Sequence, residues 1–76
     1  MPTKGHSLGN RIKELRARRG MTQVELADAV GVTRKTVNTV ENKVFVPSTV
    51  LALKLAEILD VKVDELFYLD KHDHHE

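Results

Sequence analysis

Apolar positions recur along this chain at helical rather than strand spacing. Leu8, Ile12 and Leu15 step along one face, and Gly20 stands where that run must stop. Ser7 is the hydroxyl expected to cap this first helix, which is predicted to run to about Arg19. Thr22 opens a second run, with Glu25 three residues on at the spacing of a capping box. Val24, Leu26, Ala27 and Val30 supply its apolar stripe, and Gly31 ends it because glycine tolerates the left-handed conformation. Thr33 caps a third helix whose inward residues are Val37 and Val40, one turn apart. Ser48 caps a fourth, predicted to reach about Leu59, which is apolar on more than one face through Val50, Leu51, Leu53, Leu55, Ala56, Ile58 and Leu59. Such a helix lies at the centre of a core or packs on two partners. Asp60 takes its terminating position, where glycine is expected.

The third helix carries a second pattern. The turn between Gly31 and Thr33 is too short for helices two and three to lie side by side, so they must cross as a helix-turn-helix unit. Opposite Val37 and Val40 stand Lys35, Asn38, Thr39 and Asn42, flanked by Arg34 and Thr36. This outward face carries no acid before Glu41. Cations in a first turn oppose the helix dipole, which favours anions there. An ordinary solvated helix would more often place Asp or Glu at these positions. Arg, Lys and Asn together are the donors that meet guanine and adenine edges and grip phosphate.

The run RIKELRARRGMTQVELADAVGVTRKTVNTVEN, followed by PSTVLALKLAEILDVKVDELF, resembles the lambda-repressor-like, Cro/XRE helix-turn-helix regulators, above all their short stand-alone bacterial and archaeal members. The match covers residues 8–69. The resemblance implies an all-α, five-helix DNA-binding domain that works as a homodimer, with the helix from Thr33 to Glu41 in the major groove. It implies that Arg16 pairs with Glu41, tying the first helix to the end of the third. It also implies that Gln23 bridges a DNA phosphate and the start of the third helix. Val61 to Phe67 resemble the short fifth helix, with Lys62 in place of the usual hydroxyl cap, so that helix is expected to start poorly or late. After Glu41 the chain departs from the family. Lys43 stands where glycine is common, and Asn42 is expected to adopt the left-handed conformation instead. Val44, Phe45 and Val46 are unexpected in a loop: either they tuck over the core or they form an exposed patch for a partner subunit.

Composition narrows this further. The 76 residues make one domain near the small end of what folds without a staple, and its zero cysteines exclude both disulfides and thiolate metal ligands. Two Phe, one Tyr and no Trp mean that the core must be aliphatic. The net charge of +1 conceals a division: residues 1–43 hold nine Lys/Arg against four Asp/Glu, residues 44–76 three against seven. A basic half that contains the helix-turn-helix suits one-sided docking on a polyanion. No apolar run approaches a membrane span, and no signal peptide precedes the helices, so a soluble, cytoplasmic protein is expected.

At the ends, residues 1–6 read as a loose arm, whose Lys4 and His6 could brush a phosphate but are more simply frayed. Residues 70–76 read as a disordered acidic and histidine-bearing tail: His72, Asp73, His74 and His75 are metal-ligand types, but nothing orders them into a site. Neither a metal nor a cofactor nor a small-molecule effector is expected. Enzyme readings lack parts: there is no cysteine nucleophile, no phosphate-cradling glycine loop, and no acid–base pair near a histidine within residues 7–69.

The sequence therefore points to a transcriptional regulator, most simply a repressor, that binds a palindromic double-stranded operator as a homodimer. Arg34, Lys35, Asn38 and Thr39 are the expected base readers. Gln23, Thr33, Thr36, Asn42, Lys43 and Arg18 are expected at the DNA backbone. Val44, Phe45, Val46, Phe67, Tyr68 and Leu69 are the candidates for a dimer contact. The alternative is a protein-interaction adaptor or antitoxin that retains the fold, to which the two apolar clusters would equally belong.

Overall fold

The computed structural model describes the backbone of residues 6–71 and the side chains of residues 7–70. The elements follow in the order β1 (His6–Asn10), α1 (Ile12–Arg18), α2 (Gln23–Val30), α3 (Arg34–Glu41), α4 (Thr49–Ile58), α5 (Val63–Leu66) and β2 (Phe67–Lys71). Five helices form the body, as the pattern requires. The expectations for the arm at residues 1–5 and the tail at residues 72–76 lie outside the described residues.

The caps explain where the helices begin. Thr22 accepts from the Glu25 N–H while the Glu25 carboxylate accepts from the Thr22 N–H at 2.8 Å, closing the capping box of α2. Thr33 caps α3 through the Thr36 N–H, and Ser48 caps α4 through the Leu51 N–H. Helix α5 does start without a side-chain acceptor at Lys62, but the Glu65 carboxylate takes the Lys62 N–H at 2.9 Å. Four left-handed residues close α1 to α4 in turn: Gly20, Gly31, Lys43 (φ 63°) and Asp60 (φ 59°). Lys43 itself turns the chain after α3, whereas Asn42 stays at φ −88°. The expected exchange of roles between these two residues does not occur.

The N-terminal reading needs a larger correction. Ser7 does not cap a helix; it lies in β1, opposite Asp70 of β2. The two strands are antiparallel, with Leu8 facing Leu69 and Gly9 facing Tyr68. Helical spacing of Leu8, Ile12 and Leu15 was thus only partly helical: Leu8 packs on the core from a strand. No side chain caps α1 at Arg11, but Asn10, one residue earlier, accepts the Ile12 N–H on its Oδ1 at 3.1 Å. Beta strand β2 also reaches past residue 69, so Asp70 belongs to the folded unit and not to a tail.

The core is aliphatic apart from Phe67. Ile12, Leu26, Leu55, Leu59, Leu66 and Val40 are the largest side chains removed from solvent, joined by Ala27, Val30, Val37 and Ala56. Burying a Leu, Ile or Val side chain contributes about 1.5–3 kcal/mol, so these residues carry most of the stability of a small domain. Helix α2 packs against both α3 and α4, which places the helix-turn-helix directly on the central helix. Helix α4 keeps its second apolar face: Val50 and Leu53 are exposed while Leu55 and Ala56 are buried.

Candidate nucleic-acid interface

The outward face of α3 is built from its inward one. Val37 and Val40 are each 2% exposed, and burying them orients the remaining residues. Arg34 and Lys35 stand exposed at the start of the helix, followed by half-buried Asn38 and Thr39 and exposed Asn42. Among the described residues neither Arg34 nor Lys35 is in an ion pair. Their charge is therefore available to an anion.

Behind this face runs a continuous hydrogen-bond network. The Arg16 guanidinium donates to both Glu41 oxygens, Nε to Oε2 at 2.6 Å and Nη2 to Oε1 at 3.2 Å. Its Nη1 donates to the Met21 carbonyl at 2.9 Å, fixing the fork against the α1–α2 turn. The Glu41 side chain is only 6% exposed, so its charge depends on these partners. Gln23 Nε2 also donates to Glu41 Oε1, at 3.0 Å, and Gln23 Oε1 faces Asn38 Nδ2 at 3.5 Å. Asn42 Nδ2 donates in turn to Asn38 Oδ1 and to the Asn38 carbonyl. Gln23 thus grips the middle and end of α3, not its start as the resemblance implies. No buried side-chain N or O among the described residues is left unpartnered.

Several other expected residues hold partners of their own. The Thr39 hydroxyl donates to the Thr36 carbonyl, and the Thr33 and Thr36 hydroxyls bond each other at 3.2 Å. These bonds fix the three side chains against α3 and leave acceptor lone pairs open. Arg18 pairs with Glu14 one turn back, on the exposed side of α1. Lys43 pairs with Asp70 of β2, and that hydrogen bond holds its ammonium above the ordinary lysine range. Phe67 is 8% exposed and belongs to the core, so it has little surface to offer a partner subunit. Tyr68 lies across Gly9, with the Arg11 guanidinium 4.7 Å above its ring centroid. Leu69, Val44 and Val46 are 71%, 76% and 67% exposed, and Phe45 is half-exposed. The apolar loop therefore does not tuck over the core.

Asn10 is a residue that pattern reading missed. Besides accepting the Ile12 N–H, its side chain donates through Nδ2 to the Val40 carbonyl at 3.0 Å, near the end of α3. The Val40 carbonyl takes the Lys43 N–H from the turn, and Asn10 adds a second donor from β1, thirty residues away. The signal available was an asparagine two residues before the first helix.

A compact helical body that presents a braced, cationic second helix of a helix-turn-helix defines a class of DNA-binding domain. The chain belongs to the Cro/XRE-type helix-turn-helix family, whose profile matches residues 12–66. It is 44% identical over 64 residues to YgzD, an HTH-type transcriptional regulator of Bacillus subtilis, covering 84% of this chain and 97% of YgzD. Among solved structures it is similar to the restriction-modification controller protein C.AhdI of Aeromonas hydrophila, with a TM-score of 0.69 and 40% identity over 72% of this chain and 83% of that one. It is also similar to SinR, a master regulator for biofilm formation solved in complex with DNA, with a TM-score of 0.65 and 33% identity over 70% and 86% of the two chains. The protein is a DNA-binding transcriptional regulator, of a family that is not one of enzymes. Among the described residues no helix is long and apolar enough to cross a membrane.

Proposed function

We propose that this protein is a cytoplasmic transcriptional repressor that binds a palindromic operator as a homodimer. The observation that carries the reading is the exposed pair Arg34 and Lys35, free of acids, on a helix braced by the Arg16–Glu41–Gln23–Asn38 network. In this mechanism α3 lies in the major groove and Arg34, Lys35, Asn38 and Thr39 meet base edges. Thr33 and Thr36 at the cap, Gln23 at the start of α2, and Asn42 and Arg18 at the edges approach the phosphates. Lys43 must exchange Asp70 for a phosphate to join them. Two copies would set their α3 helices about 34–36 Å apart, one turn of DNA. Exposed Val46, Val50, Leu53 and Leu69 support a second copy. Repression would follow from occupancy of a promoter.

Titration of enriched and random duplexes with Lys35→Ala and Lys43→Ala tests the assignment. Lys35→Ala should lose about 1–3 kcal/mol on the enriched duplex and less on random DNA. Lys43→Ala should weaken both to the same extent. Equal losses on both duplexes for Lys35→Ala would remove it from the base readers. Binding of neither duplex at low salt would instead favour the adaptor reading.

A further inference from the structure

The apolar loop after α3 is anchored to the DNA-facing helix itself. The Val44 and Phe45 N–H groups both donate to the Thr39 carbonyl, at 2.9 and 3.1 Å. The two side chains therefore travel with α3. Together with Lys35, Thr36 and Thr39 they line an open groove of about 300 Å³. This groove flanks α3 on the Thr36–Thr39 side, while Gln23 lies on the Asn38–Glu41 side. The Thr39 hydroxyl gives its proton to its own helix, so it offers a ligand its methyl and an acceptor oxygen. The groove thus has apolar walls from Val44, Phe45 and Thr39, and Lys35 as its cation.

An occupant must match an apolar wall and a lysine within one groove, beside a helix whose other exposed side chains are hydrogen-bond donors. A thymine in duplex DNA does so: its C5-methyl is the apolar mark of the major groove, and its own phosphate is an anion nearby. We propose that Phe45, with Val44 and Thr39, forms a seat for the C5-methyl of a thymine at the edge of each half-site. Phe45 is then a specificity-determining residue and not a contact between subunits. This rests on the DNA-binding reading above, and concerns which base is read at one position.

The test uses duplexes enriched from a random pool by the full-length protein, with each thymine replaced in turn by deoxyuridine, which removes only the methyl. Burial of one methyl-sized group corresponds to about a three- to fivefold change in affinity. One uracil position per half-site should cost the wild-type protein that much. Phe45→Ala should bind the thymine and uracil duplexes alike, while Phe45→Leu should keep the preference. Phe45 lies outside the buried core, and matching thermal unfolding of the variants will show that the fold is intact. The proposal is overturned if every uracil substitution is neutral, if no thymine is enriched at the flank, or if Phe45→Ala pays the wild-type penalty. Failure to enrich any duplex would overturn the DNA-binding reading itself, a result separable from these.

Discussion

Glu41 holds the interface together at the scale of single residues. Its nearly buried carboxylate receives Arg16 from α1 and Gln23 from α2, so one charge joins three helices. Desolvation of such a pair can cancel its attraction, so its presence does not by itself stabilise the fold. Removing one partner is another matter. Arg16→Met should destabilise the protein by about 3–5 kcal/mol in urea unfolding, because Glu41 would be left charged and dry. Arg16→Met with Glu41→Leu should recover most of that loss while still weakening DNA binding, since Gln23 and through it Asn38 would lose their anchor. A double variant no more stable than Arg16→Met would show that the cost lies in packing and not in stranded charge. The ends of this network were foreseeable from the family resemblance. Asn38 and Asn42 as its continuation were not, because hydrogen bonds between amides leave no periodic signal.

The helices owe their boundaries to a few positions, and these separate stability from function. Lys43 and Asp60 occupy left-handed backbone, a conformation that costs a non-glycine residue roughly 1–2 kcal/mol. Asp60→Gly should therefore raise the unfolding free energy by up to about 1 kcal/mol, part of the relief being offset by the freer unfolded chain, and leave DNA binding unchanged. Lys43→Gly should also raise the melting temperature yet weaken every duplex, as the strained residue carries a cation beside α3. Calorimetry beside binding titrations checks both. A melting temperature lowered by Lys43→Gly would assign the Asp70 pair a larger share of stability than a half-exposed ion pair is expected to have. The termination of α4 at Asp60 was legible from position alone. That of α3 was assigned to Asn42 on side-chain preference, but the chain turns one residue later, where the Val44 and Phe45 N–H groups reach the Thr39 carbonyl.

For the whole molecule, the ribbon of β1 and β2 ties the two ends of the chain over the helical body. Gly9 is what lets it close: a Cβ there would stand 2.2 Å from the Tyr68 ring. Gly9→Ala should destabilise by about 1–3 kcal/mol through overpacking. That cost should largely vanish in a Tyr68→Ala background, as thermal unfolding of the four proteins will show. Equal costs in both backgrounds would place the strain elsewhere. The ribbon also brings Asp70 to Lys43, so an acid from the acidic half of the chain meets the turn after α3. The division of charge along the sequence is therefore not a clean division in space.

Helices two to four, their caps and the inward face of α3 are consequences of local order: the spacing of aliphatic residues and hydroxyls one step before them specifies each without reference to the rest. The cationic outward face follows from the same periodicity, since knowing which residues turn inward says which turn outward. The ribbon could not be read this way, because a strand exists only where another strand supplies its hydrogen bonds, and residues 6–10 and 67–71 lie far apart in sequence, on either side of the five helices. The apolar loop could not be placed either. Three adjacent apolar residues have no period, so their surroundings depend on which neighbour offers a carbonyl and a wall, and folding supplied both from α3.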